Sequence, residues 1–225
     1  MYRERPSLVP GAVLWHTSGV SEDAERRVLP DGCMDLLWTG GALVVAGPDA
    51  EAYVTRVPAG TAFTGLRLAP GTAPAMLGVP AAELRGLRVP LADLWPAADV
   101  RRLTDRVRRA ESPPACLEQL AGERLDGVDP LVREAAVLLG RGSGVTATAA
   151  ALGLGERRLH RLSLTAFGYG PKTLARILRM NRALALARSG HPFADVAATA
   201  GYADQAHLSR EVRSLAGVPL GDLVG

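Results

Sequence analysis

Gly153-Leu-Gly-Glu-Arg-Arg-Leu-His-Arg161, closed by Gly168 and Pro171, and Gly201-Tyr-Ala-Asp-Gln-Ala-His-Leu-Ser-Arg210, closed by Gly217 and Pro219, are two versions of one pattern. Leu159 matches Leu208 and Arg161 matches Arg210, each 49 positions apart, whereas Gly153 and Gly201 are 48 apart. The second turn therefore carries one extra residue. Each copy follows an alanine-rich segment, Ala147–Leu152 or Ala194–Ala200. A short helix, a glycine turn and a second helix with a basic outer face make a helix-turn-helix unit. Two in tandem point to the reading of duplex DNA.

The spacing assigns roles within each copy. In the first, Leu159 and Leu162 face inward with Phe167, which leaves Arg157, Arg158, His160 and Arg161 outward or lateral. In the second, Leu208 and Val212 face inward and leave Gln205, His207, Ser209 and Arg210 outward. Arginine forks onto guanine O6/N7, glutamine pairs with adenine N6/N7, and serine or histidine makes single bonds. Glu156 and Asp204 stand at the first helical turn, where a carboxylate caps and complements the helix dipole. Ala149, Ala150, Ala197 and Ala198 are small enough for close helix crossing, and Gly153 and Gly201 allow the positive φ of a tight turn. Lys172–Arg188 reads as one long helix between the units, ended by Ser189-Gly-His-Pro192.

Charge is divided along the chain. Residues 141–225 hold 11 basic and 5 acidic side chains, which leaves 15 basic and 18 acidic for residues 1–140. A basic C-terminal part beside an acidic N-terminal part fits a nucleic-acid binder with a separate partner domain. All basic residues but Lys172 are arginine, in both halves, so this bias reflects overall composition rather than one site.

The first 70 residues read as β-structure: Gly11–Trp15, Arg27–Leu29, Met34–Thr39, Ala42–Ala46, Tyr53–Val57 and Thr61–Leu68, separated by turn residues such as Pro30-Asp31-Gly32 and Gly40-Gly41. Helical patterns follow at Ala73–Leu77, Ala81–Arg85, Ala98–Ala110, Pro114–Leu125 and Leu131–Leu139, the last opened by Asp129 as N-cap and Pro130 at N1. The fold class is α+β. A small sandwich- or barrel-like β domain precedes an all-α domain with two helix-turn-helix units joined by a long helix. The expected division is a sensor or assembly domain over 1–125, a helix and linker over 126–144, and a DNA-binding domain over 145–225.

Residues 145–225 resemble the AraC-type DNA-binding domain, through Leu152-Gly-Leu-Gly-Glu-Arg-Arg-Leu-His-Arg161 with Gly168-Tyr-Gly-Pro171, and through Ala194-Asp-Val-Ala-Ala-Thr-Ala-Gly-Tyr-Ala-Asp-Gln-Ala-His-Leu-Ser-Arg210 with Ala216-Gly-Val-Pro219. The resemblance implies a seven-helix, two-motif domain on an asymmetric DNA site. It implies base contacts from Arg157, His160, Arg161, Gln205, His207, Ser209 and Arg210. Ser163, Leu164, Ser214, Leu208 and Val212 depart from the family's usual aromatic or lysine residues. The stretches Pro30–Trp38 and Arg67–Pro80 look like an uncharacterised domain found ahead of this module. By analogy with the family it would sense a small molecule or mediate dimerisation.

Candidate pocket residues in that domain are Trp15, His16, Asp31, Asp35, Trp38, Arg67, Met76 and Trp95. Each has a structural alternative: Asp31-Gly32 as a turn, Trp38 and Trp95 as core, Asp35 as a buried acceptor partnered by Arg67. The expected partners are double-stranded DNA, with RNA polymerase, a small-molecule effector and a second copy of the chain as further candidates. No cofactor and no metal site is expected, because Cys33 and Cys116 are the only cysteines and form no ligand cluster. No leader and no run of about 18 apolar residues is read, so a cytoplasmic protein without a membrane span is expected. Two other functions compete with a non-enzymatic regulator. One is an alkylation-repair methyl acceptor using Cys33, and the other is a ligand-binding module whose helical half does not bind DNA.

Overall fold

Alternating apolar residues and glycine turns build the N-terminal half into strands. In the computed structural model, which describes residues 2–19, 21–125 and 127–224, these are β1 (Tyr2–Pro6), β2 (Val13–Thr17), β3 (Ala24–Val28), β4 (Met34–Thr39), β5 (Ala42–Ala46), β6 (Tyr53–Val57), β7 (Phe63–Leu68) and β8 (Arg88–Pro90). Six of them form one antiparallel sheet in the order β1-β2-β7-β4-β5-β8, and β3 pairs with β6 in a separate ribbon. The arrangement is α+β, as the sequence predicts. The two strands that periodicity does not reveal are β1 and β8. β1 reads Tyr-Arg-Glu-Arg-Pro and is exposed throughout, so it carries no apolar alternation. β8 has three residues and ends at a proline.

Strand parity sorts the large sheet into two faces. Leu14, Leu36, Leu66 and Leu68 point to one side and are almost wholly buried. They meet α1 (Ala73–Leu77), α2 (Ala97–Arg109) and α3 (Pro113–Arg124), whose Met76, Val107 and Leu117 complete this first core. Trp15, Asp35, Gly65 and Arg67 belong to the other parity and share the opposite side of the sheet.

A second core lies among α4 (Pro130–Gly140), α5 (Val145–Ala151), α6 (Glu156–Phe167), α7 (Pro171–Arg188), α8 (Phe193–Ala200) and α9 (Gln205–Ala216). A 3-10 turn, Leu220–Leu223, closes it. α6 and α8 follow the glycine turns and alanine-rich segments that the sequence marks out. α4 starts as expected, with the Asp129 carboxylate accepting from the Leu131 N–H at 2.9 Å and Pro130 in the first turn. α7 runs through the centre, burying Leu174, Ile177, Met180, Ala183 and Leu184. Val132, Ala135 and Leu139 place α4 in this core too.

The halves are packed against each other. Leu29 and Ala50 of the first half pack on the second core. Gly71, at φ +81, lets the backbone approach α4 and α6 so closely that a Cβ would sit 2.2 Å from Val132 and 2.7 Å from Phe167. Among the described residues, no helix is long and apolar enough to cross a membrane.

Candidate nucleic-acid interface

The two units fold on the repeated frame. Leu159 and Leu208 are fully buried, as is Val212. Burying one such side chain contributes roughly 1.5–3 kcal/mol, so each leucine anchors its helix on the core. Gly153 (φ +65) and Gly201 (φ +82) take the left-handed conformation expected of both turns. Ala149 and Ala197 are buried at the helix crossings, but Ala150 and Ala198 are exposed. In helices of seven and eight residues only one of two adjacent alanines can face the partner helix.

The candidate base-contact residues are largely exposed, as the spacing predicts. Arg157, Arg158, His160 and Arg161 are exposed on the first turns of α6, and Gln205, Ser209 and Arg210 on α9. His207 differs. It is half-buried, its ring meeting the Tyr202 ring edge-on at 5.2 Å between centroids, and its Nδ1 accepts from the Ala203 N–H at 3.4 Å. Asp204 caps α9 by accepting from the His207 N–H at 2.6 Å. Glu156 accepts instead from the Thr146 hydroxyl at 2.5 Å, tying α6 to α5. Both carboxylates thus hold helices in place.

One side-chain cluster beside α9 is not apparent from the sequence. Arg176, Arg179 and Arg182 stand three residues apart on α7. Arg176 Nε and Arg179 Nε bond the two carboxylate oxygens of Glu211 on α9 at 3.0 and 3.1 Å. Arg179 also lies over the Tyr202 ring at 4.4 Å. Arg182 bonds the carbonyls of Gly140 and Ala200 at 2.9 and 2.8 Å, the ends of α4 and α8. Burial alone would push the Glu211 carboxyl up, but the bonds from Arg179 and Arg176 more than offset it and hold it below the ordinary value. The i, i+3 arginines are visible in the sequence; their shared partner is not.

In the N-terminal half, four of the candidate pocket residues come together. Trp15 Nε1 donates to Asp35 Oδ1 at 2.5 Å, and Arg67 Nε lies 3.2 Å from Asp31 and 3.7 Å from Asp35. Asp35 and Arg67 are direct cross-strand partners. Gly65 makes room for the Trp15 ring, which a Cβ there would meet at 2.3 Å. Burial, helped by Asp31, raises the Asp35 carboxyl to about 6 against the opposing pull of Arg67 and Trp15. Burial also disfavours the Arg67 cation, yet Asp35 and Asp31 more than compensate and keep it charged. The remaining candidates lie elsewhere. Trp38 packs against the first core, Met76 is in it, and Trp95 is buried with its N–H on the Leu77 carbonyl. His16 pairs with the Thr64 hydroxyl at 3.1 Å. Burial and then Asp31 push the Cys33 thiol well up. No group of three metal-ligating side chains occurs among the described residues.

Against known proteins, residues 148–224 match a family model described as a helix-turn-helix domain. They form a helix-turn-helix domain of the AraC type. Residues 12–90, ahead of this AraC-type domain, match a domain of unknown function, DUF6597. No curated protein matches the chain. Among solved structures, the chain is similar to ToxT from Vibrio cholerae over 100% of its own length and 98% of that chain, with TM-score 0.50 and 11% identity. This likeness concerns the fold of the whole chain. An AraC-type transcriptional regulator from Chromobacterium violaceum is similar over 42% of this chain and 89% of its own, with 22% identity and TM-score 0.40. The C-terminal domain of AraT, a response regulator from Geobacillus stearothermophilus, covers 43% of this chain and 84% of its own, also at 22% and 0.40. The helix-turn-helix domain supports a DNA-binding transcriptional regulator.

Proposed function

We propose that the chain reads an asymmetric duplex site with α6 and α9 in successive major grooves. The observation that carries this reading is the duplicated frame. The same buried leucine and exposed arginine recur on both helices, Leu159 with Arg161 and Leu208 with Arg210. The side chains around them differ. α7 has 18 residues and is about 27 Å long, a rigid spacer on the scale of one DNA turn, about 34–36 Å. Arg157, Arg158, His160 and Arg161 serve the first half-site, and Gln205, His207, Ser209 and Arg210 the second.

The chain divides, in this reading, into a sensor or assembly domain over 1–125, a connecting segment over 126–144 and a reader over 145–225. α4 lies in the connecting segment and packs on the core that the reader helices share. Trp15, Asp31, Asp35 and Arg67 are the residues through which a small polar effector would act, while Trp38 and Trp95 belong to separate places in the fold. RNA polymerase and a second copy of the chain are the further partners.

Binding of full-length protein to labelled duplexes tests this. Log affinity should fall by about 0.9 per phosphate contact per decade of salt. Tight binding to one sequence with this slope supports the reading. Equal, weak binding to every duplex at low salt counts against it.

A further inference from the structure

The last turn of the second reading helix is completed by the N-terminal half. A helix leaves its final carbonyls without partners, and cations there also meet the negative end of the helix dipole. At the end of α9, Arg27 of β3 donates from Nη1 to the Ala216 carbonyl at 3.0 Å. The Ala52 N–H donates to the Leu215 carbonyl at 2.7 Å. Gly217 adopts φ +75 there, and a Cβ on it would come within 3.0 Å of Arg27 Nη1. The Arg27 side chain is only 27% exposed, with Glu25 3.8 Å away as its ion-pair partner.

The same face of the N-terminal half touches the rest of the reader. Pro48 and the Ala81 carbonyl close on Gly168, which ends α6. Asn181 of α7 donates to the Pro30 carbonyl at 2.8 Å. Both reading helices are thus held at their rear ends and the spacer near its middle, while Arg157, Arg158, Gln205 and Ser209 stay exposed.

We infer that the N-terminal half braces the second reading helix, with Arg27 as a positioning residue that fixes how α9 presents Gln205, Ser209 and Arg210 to DNA. The DNA consequence rests on the function proposed above; the bracing itself does not. The bond from Arg27 spans 189 positions, so no local signal in α9 replaces it. Without it, the Ala216 carbonyl turns to water, only the Ala52 bond to Leu215 still ties the end of α9 to the N-terminal half, and the last turn frays and tilts. α6, whose rear end is held by other residues, keeps its place.

Two measurements on full-length protein, Arg27→Ala and Arg27→Lys separate these claims. In hydrogen exchange, Arg27→Ala should speed exchange in residues 205–216 and leave 156–167 unchanged, with Arg27→Lys close to the parent. Uniform acceleration, or none, overturns the brace whether or not DNA binds. In binding, a duplex enriched from a random pool is compared with versions in which either half-site is scrambled. Arg27→Ala should weaken binding to the intact duplex about tenfold, ~1.4 kcal/mol. That loss should vanish when the α9 half-site is scrambled and persist when the α6 half-site is. Equal loss on all three duplexes overturns the positioning role. If the parent protein enriches no duplex, the proposed function fails, and with it the role in reading, while the exchange result still decides the brace.

Discussion

Arg179 Nη2 lies 2.6 Å from Glu211 Oε1, so α7 and α9 share one buried carboxylate. Arg176 holds its other oxygen at 3.0 Å. Truncating one partner of a buried charge cluster leaves the others desolvated and unpaired. Glu211→Gln should therefore lower stability by roughly 1–3 kcal/mol, visible in denaturant unfolding. Glu211→Ala should cost more. Arg182→Ala, which removes bonds to the ends of α4 and α8, should destabilise independently of Glu211.

Arg161 and Arg210 occupy equivalent exposed positions. Each alanine variant should cost about 1–3 kcal/mol in DNA affinity and relax base preference within its own half-site only. Equal loss on every sequence would assign these arginines to phosphates. Binding isotherms on single-base variants of the site distinguish the two.

Gly71 sits where the halves meet. Its φ of +81 disfavours any side chain, and an added methyl would overlap Val132 and Phe167. The expected cost of Gly71→Ala is about 2–4 kcal/mol, from the left-handed conformation and overpacking together. Thermal unfolding should show a marked drop in Tm. A variant as stable as the parent would contradict the tight packing of Gly71 on Val132 and Phe167.

Acid should act on the fold in two opposite ways. Glu118 is buried against Ser7, Arg5 and the Leu8 N–H, and these bonds more than offset its burial and lower its pKa. Glu211 is likewise lowered. A carboxyl with a depressed folded pKa gives stability above the unfolded value, which is lost as pH falls through the folded one. Asp35 is raised to about 6, so its contribution runs the other way and improves as pH falls below that value. Unfolding midpoints across pH 3–7 should show Glu118→Gln flattening the acid loss and Asp35→Asn removing the gain below pH 6.

What the sequence makes legible follows from where its signals are local. Gly153, Gly201, Leu159 and Leu208 fix the two units because turn and burial repeat within a few residues. The grouping of Trp15, Asp31, Asp35 and Arg67 is only half legible. Asp35 and Trp38 lie three apart on one strand and so point to opposite faces, which removes Trp38 from the cluster. Trp95 looks the same as a ligand-binding tryptophan until its N–H is seen on Leu77. β1 is hidden because its Arg-Glu-Arg core shows no alternation, and Arg5 is fixed by Glu118 from 113 positions away. Arg27 likewise gives no local sign of its partner at the end of α9. Such contacts depend on packing between the halves, which no window along the chain contains.

Selection of bound duplexes from a random pool, using the full-length protein and sequencing the survivors, tests the central claim most directly. The expected result is a non-palindromic site of two unlike halves about one helical turn apart, one lost with substitutions at Arg157 and Arg161 and the other with substitutions at Gln205 and Arg210. Enrichment of no sequence, or of a palindrome that depends on one helix alone, would contradict it.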